Sequence, residues 1–240
     1  MTRYYSIAAI LAAFAAAHAA EPDEVWEQAV KAKGGRERLH SVHALAIFMT
    51  PANVNLRGLP TNWLCVFPDR YFEFDGTGVG GRQRAIVVNR TTGLVAADET
   101  GIPRGARPLS AAENDRLALN QLIYLLESAW LKPKPVEVRH NVLFVEAAGR
   151  TYKLSLNRDH LPERVVSLPL PSEKPKTTYD FHLQHYRDFQ GLQLPLRVAA
   201  VTGAHQQTWD VDYEVDARYN PKLFERTPDL SKGPEPWRQR

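Results

Sequence analysis

The chain has 240 residues, 44% hydrophobic and 24% charged, with 30 Lys and Arg against 27 Asp and Glu. This is a globular composition, and it excludes a disordered or fibrous chain. A formal net charge of +3, with basic and acidic residues interspersed, also excludes a basic nucleic-acid surface and leaves only weak attraction to an anionic membrane open.

Arg3 precedes an apolar stretch from Ile7 to Ala17, and Ala17-His18-Ala19 has the small-x-small spacing of a cleavage site. This pattern predicts a signal peptide over 1–19 and a periplasmic mature protein. The stretch is shorter than the ~20 residues a spanning helix needs. Cys65 is the single cysteine, so no disulfide forms within the chain.

Pro22 and Asp23 open a predicted helix over 24–33, with Val25, Trp26, Ala29 and Val30 on its apolar side and Gly34-Gly35 as its left-handed cap. A turn over 36–40 leads to a first strand at 44–49. Strands at 63–67 and 71–75 flank the turn Pro68-Asp69-Arg70. Gly76, Gly78, Gly80 and Gly81 form a hairpin tip rather than a phosphate loop, because no helix follows them. Further strands are predicted at 84–89 and 94–98, and 99–109 reads as a loop.

The longest helical signal is 110–131. Ser110 and Glu113 have capping-box spacing, and Leu119, Leu122, Ile123, Leu126 and Trp130 fall on one face. Tyr124, Leu125 and Ala129 widen that face beyond a single stripe. The excess fits a helix buried on two sides, or one that walls a hydrophobic cavity. Pro133 and Pro135 are expected to end it.

After it the alternation is cleaner. Strands are predicted at 142–146, 151–157, 162–168, 177–186, around 196–200, and at 208–215. Tyr152 and Leu154 alternate with polar neighbours, as do Phe181 with Leu183, and Trp209 with Val211 and Tyr213. One face of the resulting sheet is apolar and the other wet. The residues 229–240 are polar, Pro-rich and expected to form a flexible tail. About ten strands and two helices make an α+β chain, mostly β. The predicted architecture is one domain over 20–228. It is a strongly curved antiparallel sheet, an incomplete barrel, with a helical lid around a hydrophobic cavity.

Several stretches resemble the LolA-like superfamily. They are VWEQAVKAKGGRERLHSVHAL from Val25, the step Phe67-Pro68-Asp69-Arg70-Tyr71-Phe72, Tyr186-Arg187-Asp188 with Gly191-Leu192-Gln193-Leu194-Pro195, and Phe224 with Pro228. The resemblance spans nearly the whole mature chain. It implies a periplasmic carrier whose curved sheet and lid enclose a cavity for lipid, an acyl chain or a lipoprotein. In the family's lipoprotein carrier an Arg before the strand Pro helps hold the lid, and Phe67 stands in that place here. The expected cavity lining is Trp63, Phe67, Tyr71, Leu119, Leu122, Ile123, Leu126, Trp130, Tyr152, Leu154, Phe181, Leu183, Trp209, Val211 and Tyr213.

Catalytic patterns are missing. There is no Gly-x-Ser-x-Gly and no His-Glu-x-x-His. On a strand, His182 and His185 are expected on opposite faces, and His40 and His43 straddle a junction. No metal, cofactor or nucleic-acid partner is expected. The expected partners are lipid or lipoprotein acyl chains, with transient contact to a membrane or membrane protein left open. The sequence reads as a non-enzymatic binding protein. A lipid sensor, an interaction module with a filled core and, at a distance, a hydrolase are the alternatives.

Overall fold

The structure, a computed structural model, describes residues 21–52, 61–75, 84–89, 92–95, 104–108, 111–129, 131–170, 178–202, 205–225 and 237. The expected signal peptide, the Gly-rich tip, Ser110 and Trp130 lie outside them.

Helix α1 (Pro22–Ala32) starts with Pro in its first turn and carries Asp23 and Glu24 where the helix dipole favours acid. Its turn into α2 (Arg36–Ser41) passes through Gly34 and Gly35, both at positive φ. A Cβ on Gly34 would stand 2.2 Å from the Gly191 carbonyl oxygen, so only glycine fits this approach. The strands that follow are β1 (Ala44–Pro51), β2 (Thr61–Val66), β3 (Arg70–Asp75), β4 (Arg84–Asn89), β5 (Thr92–Val95) and β6 (Arg104–Pro108). Helix α3 (Ala111–Tyr124) separates them from β7 (Lys134–Arg139), β8 (Val142–Ala147), β9 (Arg150–Leu156), β10 (Pro162–Ser167), β11 (Tyr179–Phe189), β12 (Leu192–Thr202) and β13 (His205–Val215).

The thirteen strands among the described residues form one sheet, in the order β6-β5-β4-β3-β2-β1-β13-β12-β11-β10-β9-β8-β7. Among the described residues every pairing is antiparallel, and the two ends of the sheet are not paired with each other. Six strand spacings separate β2 from β9 in this order, about 29 Å on a flat sheet at ~4.8 Å each. Inward side chains of both strands reach α3, at Trp63 and Tyr152, so the sheet bends around the helix.

Two strands were not expected from the sequence. β6 lies inside the predicted loop 99–109, and β7 contains Pro135, which reads as a breaker. Both are edge strands, where a proline or a short, irregular ladder is tolerated. The predicted helix over 110–131 is also too long. α3 ends at Tyr124, well before the prolines. Leu126 takes a left-handed φ of 61°, and the Ser128 hydroxyl donates to Gln121 while accepting from the Leu131 N–H. These local bonds replace the helical ladder and turn the chain toward α1. Leu126 is buried, but not as part of a helical stripe.

The inner face of the sheet, with α1 and α3, forms one hydrophobic cluster that draws on β1 through β4 and β8 through β13. A second cluster lies on the opposite face of β1–β4. Phe48, Leu64, Phe72, Phe74 and Val87 pack there beneath Ala217, Tyr219 and the 3-10 turn Pro221–Phe224. The expected flexible tail joins this outer cluster at its one described residue. Trp237 is 2% exposed, with ring centroids 5.3 Å from Phe72 and 6.3 Å from Phe48. Its indole body is worth burying against two phenylalanines, which outweighs the polar composition of the residues around it.

Candidate ligand-binding site

The site suggested by the sequence is the interface between α3 and the concave face. Its centre is aromatic. Tyr124, at the end of α3, stands edge-on to Trp63 at 6.0 Å and to Tyr213 at 5.8 Å between centroids. Trp63 in turn meets Tyr71 at 6.3 Å, and Phe189 meets Tyr213 at 5.1 Å. The hydroxyls find acceptors at the rim of this layer, Tyr213 on the Pro195 carbonyl and Tyr186 on the Pro162 carbonyl, both at 2.6 Å. Burial raises both phenols well above their ordinary pKa, which keeps them neutral donors.

Polar contacts hold α3 near its two ends. Near its start, Asp115 accepts from the Tyr152 hydroxyl at 2.7 Å and pairs with the Arg150 Nε at 2.7 Å, an ion pair by distance with its N–H off the N···O line. Burial first, and then the Asp115 carboxylate, push the Tyr152 phenol far up. Just beyond the other end, Glu127 is buried at the meeting of α1, α2 and the turn. It accepts from Arg36 Nε at 2.7 Å, Trp26 Nε1 at 3.2 Å and Arg36 Nη2 at 3.3 Å, and the His40 Nε2 lies 3.1 Å away. Arg36 also reaches Glu27 at 2.8 Å, and bonds to both carboxylates raise its pKa. The charge on Glu127 is therefore compensated on several sides, as a buried carboxylate requires.

Lys33 is a further buried charge-bearing group. It caps α1, donates from Nζ to the Gln193 carbonyl and lies 5.2 Å from the centre of the Tyr186 ring. Burial lowers its pKa from 10.5 to about 7. Cys65, on the concave face of β2, is pushed the other way, up to about 12, by burial and by the Glu73 carboxylate. A thiol held protonated like this is a poor nucleophile.

The structure gathers fourteen of the fifteen sequence-predicted lining residues in this one cluster. Leu119, Leu122, Ile123, Leu126, Trp63, Tyr71, Tyr152, Leu154, Leu183, Val211 and Tyr213 are buried, and Phe67, Phe181 and Trp209 pack against them half-buried. Trp130 lies outside the described residues. Leu122, Tyr152 and Leu154 are 0% exposed, so α3 sits directly on the sheet at these points with no water-sized space beside them. Sequence reasoning missed Asp115, Glu127, Arg150 and Lys33. The legible signal was a charge inside an apolar run, Glu127 in Leu125-Leu126-Glu127 above all.

His40 joins the Glu127 cluster. His182 and His185 both border the groove beside β11, and His185, at a left-handed φ of 58°, is skipped in the β11–β12 register. Among the described residues no group of three or more His, Cys, Asp or Glu is placed to hold a metal ion.

No family model matches the chain. No curated protein matches it. Among solved structures it is similar to a LolA superfamily protein from Nitrosomonas europaea, at 13% identity over 85% of this chain and 97% of that one, with a TM-score of 0.48. It is also similar to a DUF1329 family protein from Desulfovibrio piger, at 8% identity over 85% and 97% with a TM-score of 0.39. A third likeness is to the lipoprotein LppX of Mycobacterium tuberculosis, at 10% identity over 83% and 98% with a TM-score of 0.35.

Proposed function

We propose that the protein is a periplasmic binding protein for a hydrophobic ligand, a lipid, an acyl chain or the acyl chains of a lipoprotein, taken up between α3 and the concave face. The observation that carries this reading is how α3 is attached. Between Asp115 at one end and Glu127 just past the other, its described contacts with the sheet are mainly apolar, the weak bond from the Tyr124 hydroxyl to the Met49 sulfur and the edge-on rings around Tyr124 apart. The apolar surface such a helix covers can instead be covered by acyl chains once the helix lifts, at ~0.8 kcal/mol gained per buried methylene. Because Leu122 and Leu154 have no exposed surface, a ligand enters only by displacing α3.

The lining would read chain length and shape rather than headgroup chemistry, since it is mostly aliphatic and aromatic. Export through residues 1–19 would place it between membranes. No helix among the described residues is long and apolar enough to cross one. Native mass spectrometry of protein purified from the periplasm of its own source tests the reading. Co-purifying lipid, displaced by a fluorescent fatty acid with a shift in Trp63 emission, is the expected result. Protein that is empty and takes up no fatty acid would favour an interaction module with a filled core.

A further inference from the structure

The sheet contains a gap between β10 and β11. The two strands pair from Ser167 and Tyr179 to Arg164 and His182, and no further. β11 continues to Phe189 paired with β12 on its other side. The cause lies at the start of β10. Pro162 has no N–H to offer, and its carbonyl accepts the Tyr186 hydroxyl. The β9–β10 register shifts between Pro162 and Arg164. Leu161 is tied into the preceding turn, accepting from the Asn157 N–H at 2.8 Å and donating to Asn157 Oδ1 at 3.0 Å. Among the described residues, the β10-facing backbone of residues 183–186 therefore has no strand partner.

A groove of about 630 Å³ opens along this edge, lined by Ser155, Asp159, Glu163, His182, Gln184 and His185 with their neighbours. Its charges are unequal in availability. Arg164 is committed to Asp180 through two bonds of 2.9 and 2.6 Å. Asp159 and Glu163 are exposed and have no ion-pair partner among the described residues. The groove thus combines unpaired backbone with uncommitted negative charge. The left-handed His185 and the missing N–H of Pro162 limit how far any strand could extend here, which suits a short segment and disfavours sheet-to-sheet aggregation.

We propose that this groove binds an extended basic segment of a partner protein. The segment adds as a short strand against residues 183–186, about 13 Å at ~3.3 Å per residue, with Lys or Arg side chains reaching Asp159 and Glu163. Backbone bonds hold the peptide and the two carboxylates select its charge. The groove is lined from both sides of β11, by His182 and Gln184 and also by Leu183 and Tyr186, so its floor adjoins the inner cluster.

The test uses the full mature protein and a fluorescein-labelled octapeptide alternating Lys and Val, followed by fluorescence anisotropy. Binding is expected, with the matching Glu and Val peptide weaker by about tenfold or more. The double variant Asp159→Lys with Glu163→Lys should lose a similar factor with an unchanged unfolding midpoint, since both side chains are exposed. N-methylation of alternate peptide amides should abolish binding in one register and spare it in the other. Peptide should also slow amide exchange at residues 183–186 of the wild-type protein. No binding, equal binding of the acidic peptide, indifference to N-methylation in both registers, or unchanged exchange would each overturn the proposal.

Discussion

Replacing Lys33 with Met should remove a pH dependence that the wild-type protein carries between pH 7 and 9. The amine is fully buried beneath α1, with one carbonyl acceptor and the Tyr186 ring beside it, and burial lowers its pKa from 10.5 to about 7. In that interval the unfolded chain holds a proton on Lys33 that the folded chain has released, so stability rises with pH. With the amine half-titrated at pH 7 and the slope approaching ~1.36 kcal/mol per unit above it, the gain from pH 7 to 9 is roughly 2.3 kcal/mol. The window closes at its upper end because Cys65, raised from 9.0 to about 12, has the opposite sign. Its thiol stays protonated when folded and ionises when unfolded, so it lowers stability as pH rises past 9. The buried tyrosines do the same above pH 10. Urea unfolding at half-unit pH steps reads the slope directly. Lys33→Met should flatten it, and the variant should be the more stable protein near pH 7, where the wild type still bears most of the cost of burying the amine. Against this gain stands the Gln193 carbonyl left without its partner, at about 1–3 kcal/mol. Parallel slopes for wild type and variant across pH 7–9 would refute the reasoning and show that Lys33 reaches solvent or an anion in solution.

The remaining expectations concern the helices and the processing site. Glu127→Gln removes the charge that Arg36 and His40 face, and should cost about 2–4 kcal/mol by urea unfolding while speeding uptake of a fluorescent fatty acid; unchanged values of both would mean that α3 is not held there. Gly34→Ala meets the Gly191 carbonyl at a positive φ, and should lower stability by more than ~2 kcal/mol, whereas Gly35→Ala, with open space around it, should cost less. Leu122→Ala should cost roughly 2–5 kcal/mol, because the side chain is fully packed in the ligand-free protein; a loss below ~1 kcal/mol would reveal slack beside the helix. N-terminal sequencing of the exported protein should begin at Ala20 or Glu21, and retention of Met1 would remove the periplasmic reading.

Alternation made the inner face legible in advance. Wherever a strand kept its two-residue period, as at Tyr152 and Leu154 or Val211 and Tyr213, the inward residue could be read from the sequence and stands in the inner cluster. The failures have separate physical causes. At 110–131 the apolar spacing is helical throughout, but the spacing does not encode the pull of Arg36 and His40 on Glu127, contacts made across 91 and 87 residues. At 104–108 and 134–139 the strands are edges, and edge strands tolerate the Gly and Pro that mark loops elsewhere. The left-handed His185, skipped in the β11–β12 register, escaped because histidine gives little hint of it. Trp237 was hidden by its polar neighbours, although a lone tryptophan in a polar terminus is itself a reason to look for a slot that fits it.

The outer layer over β1–β4 divides the sheet by lifetime as well as by position. All six residues of β2 are buried, the strand being shielded on one face by the inner cluster and on the other by the turn at Pro221–Phe224 and Trp237. Amides there should exchange with solvent only when the whole domain opens. Across β10 to β12 the outer face is wet, and the ladder is already broken at residues 183–186. Those amides should exchange through smaller, more frequent openings. A binding cycle that lifts α3 can therefore draw its motion from the fast half while the slow half keeps the register of the sheet. The molecule can then breathe many times for each time it unfolds.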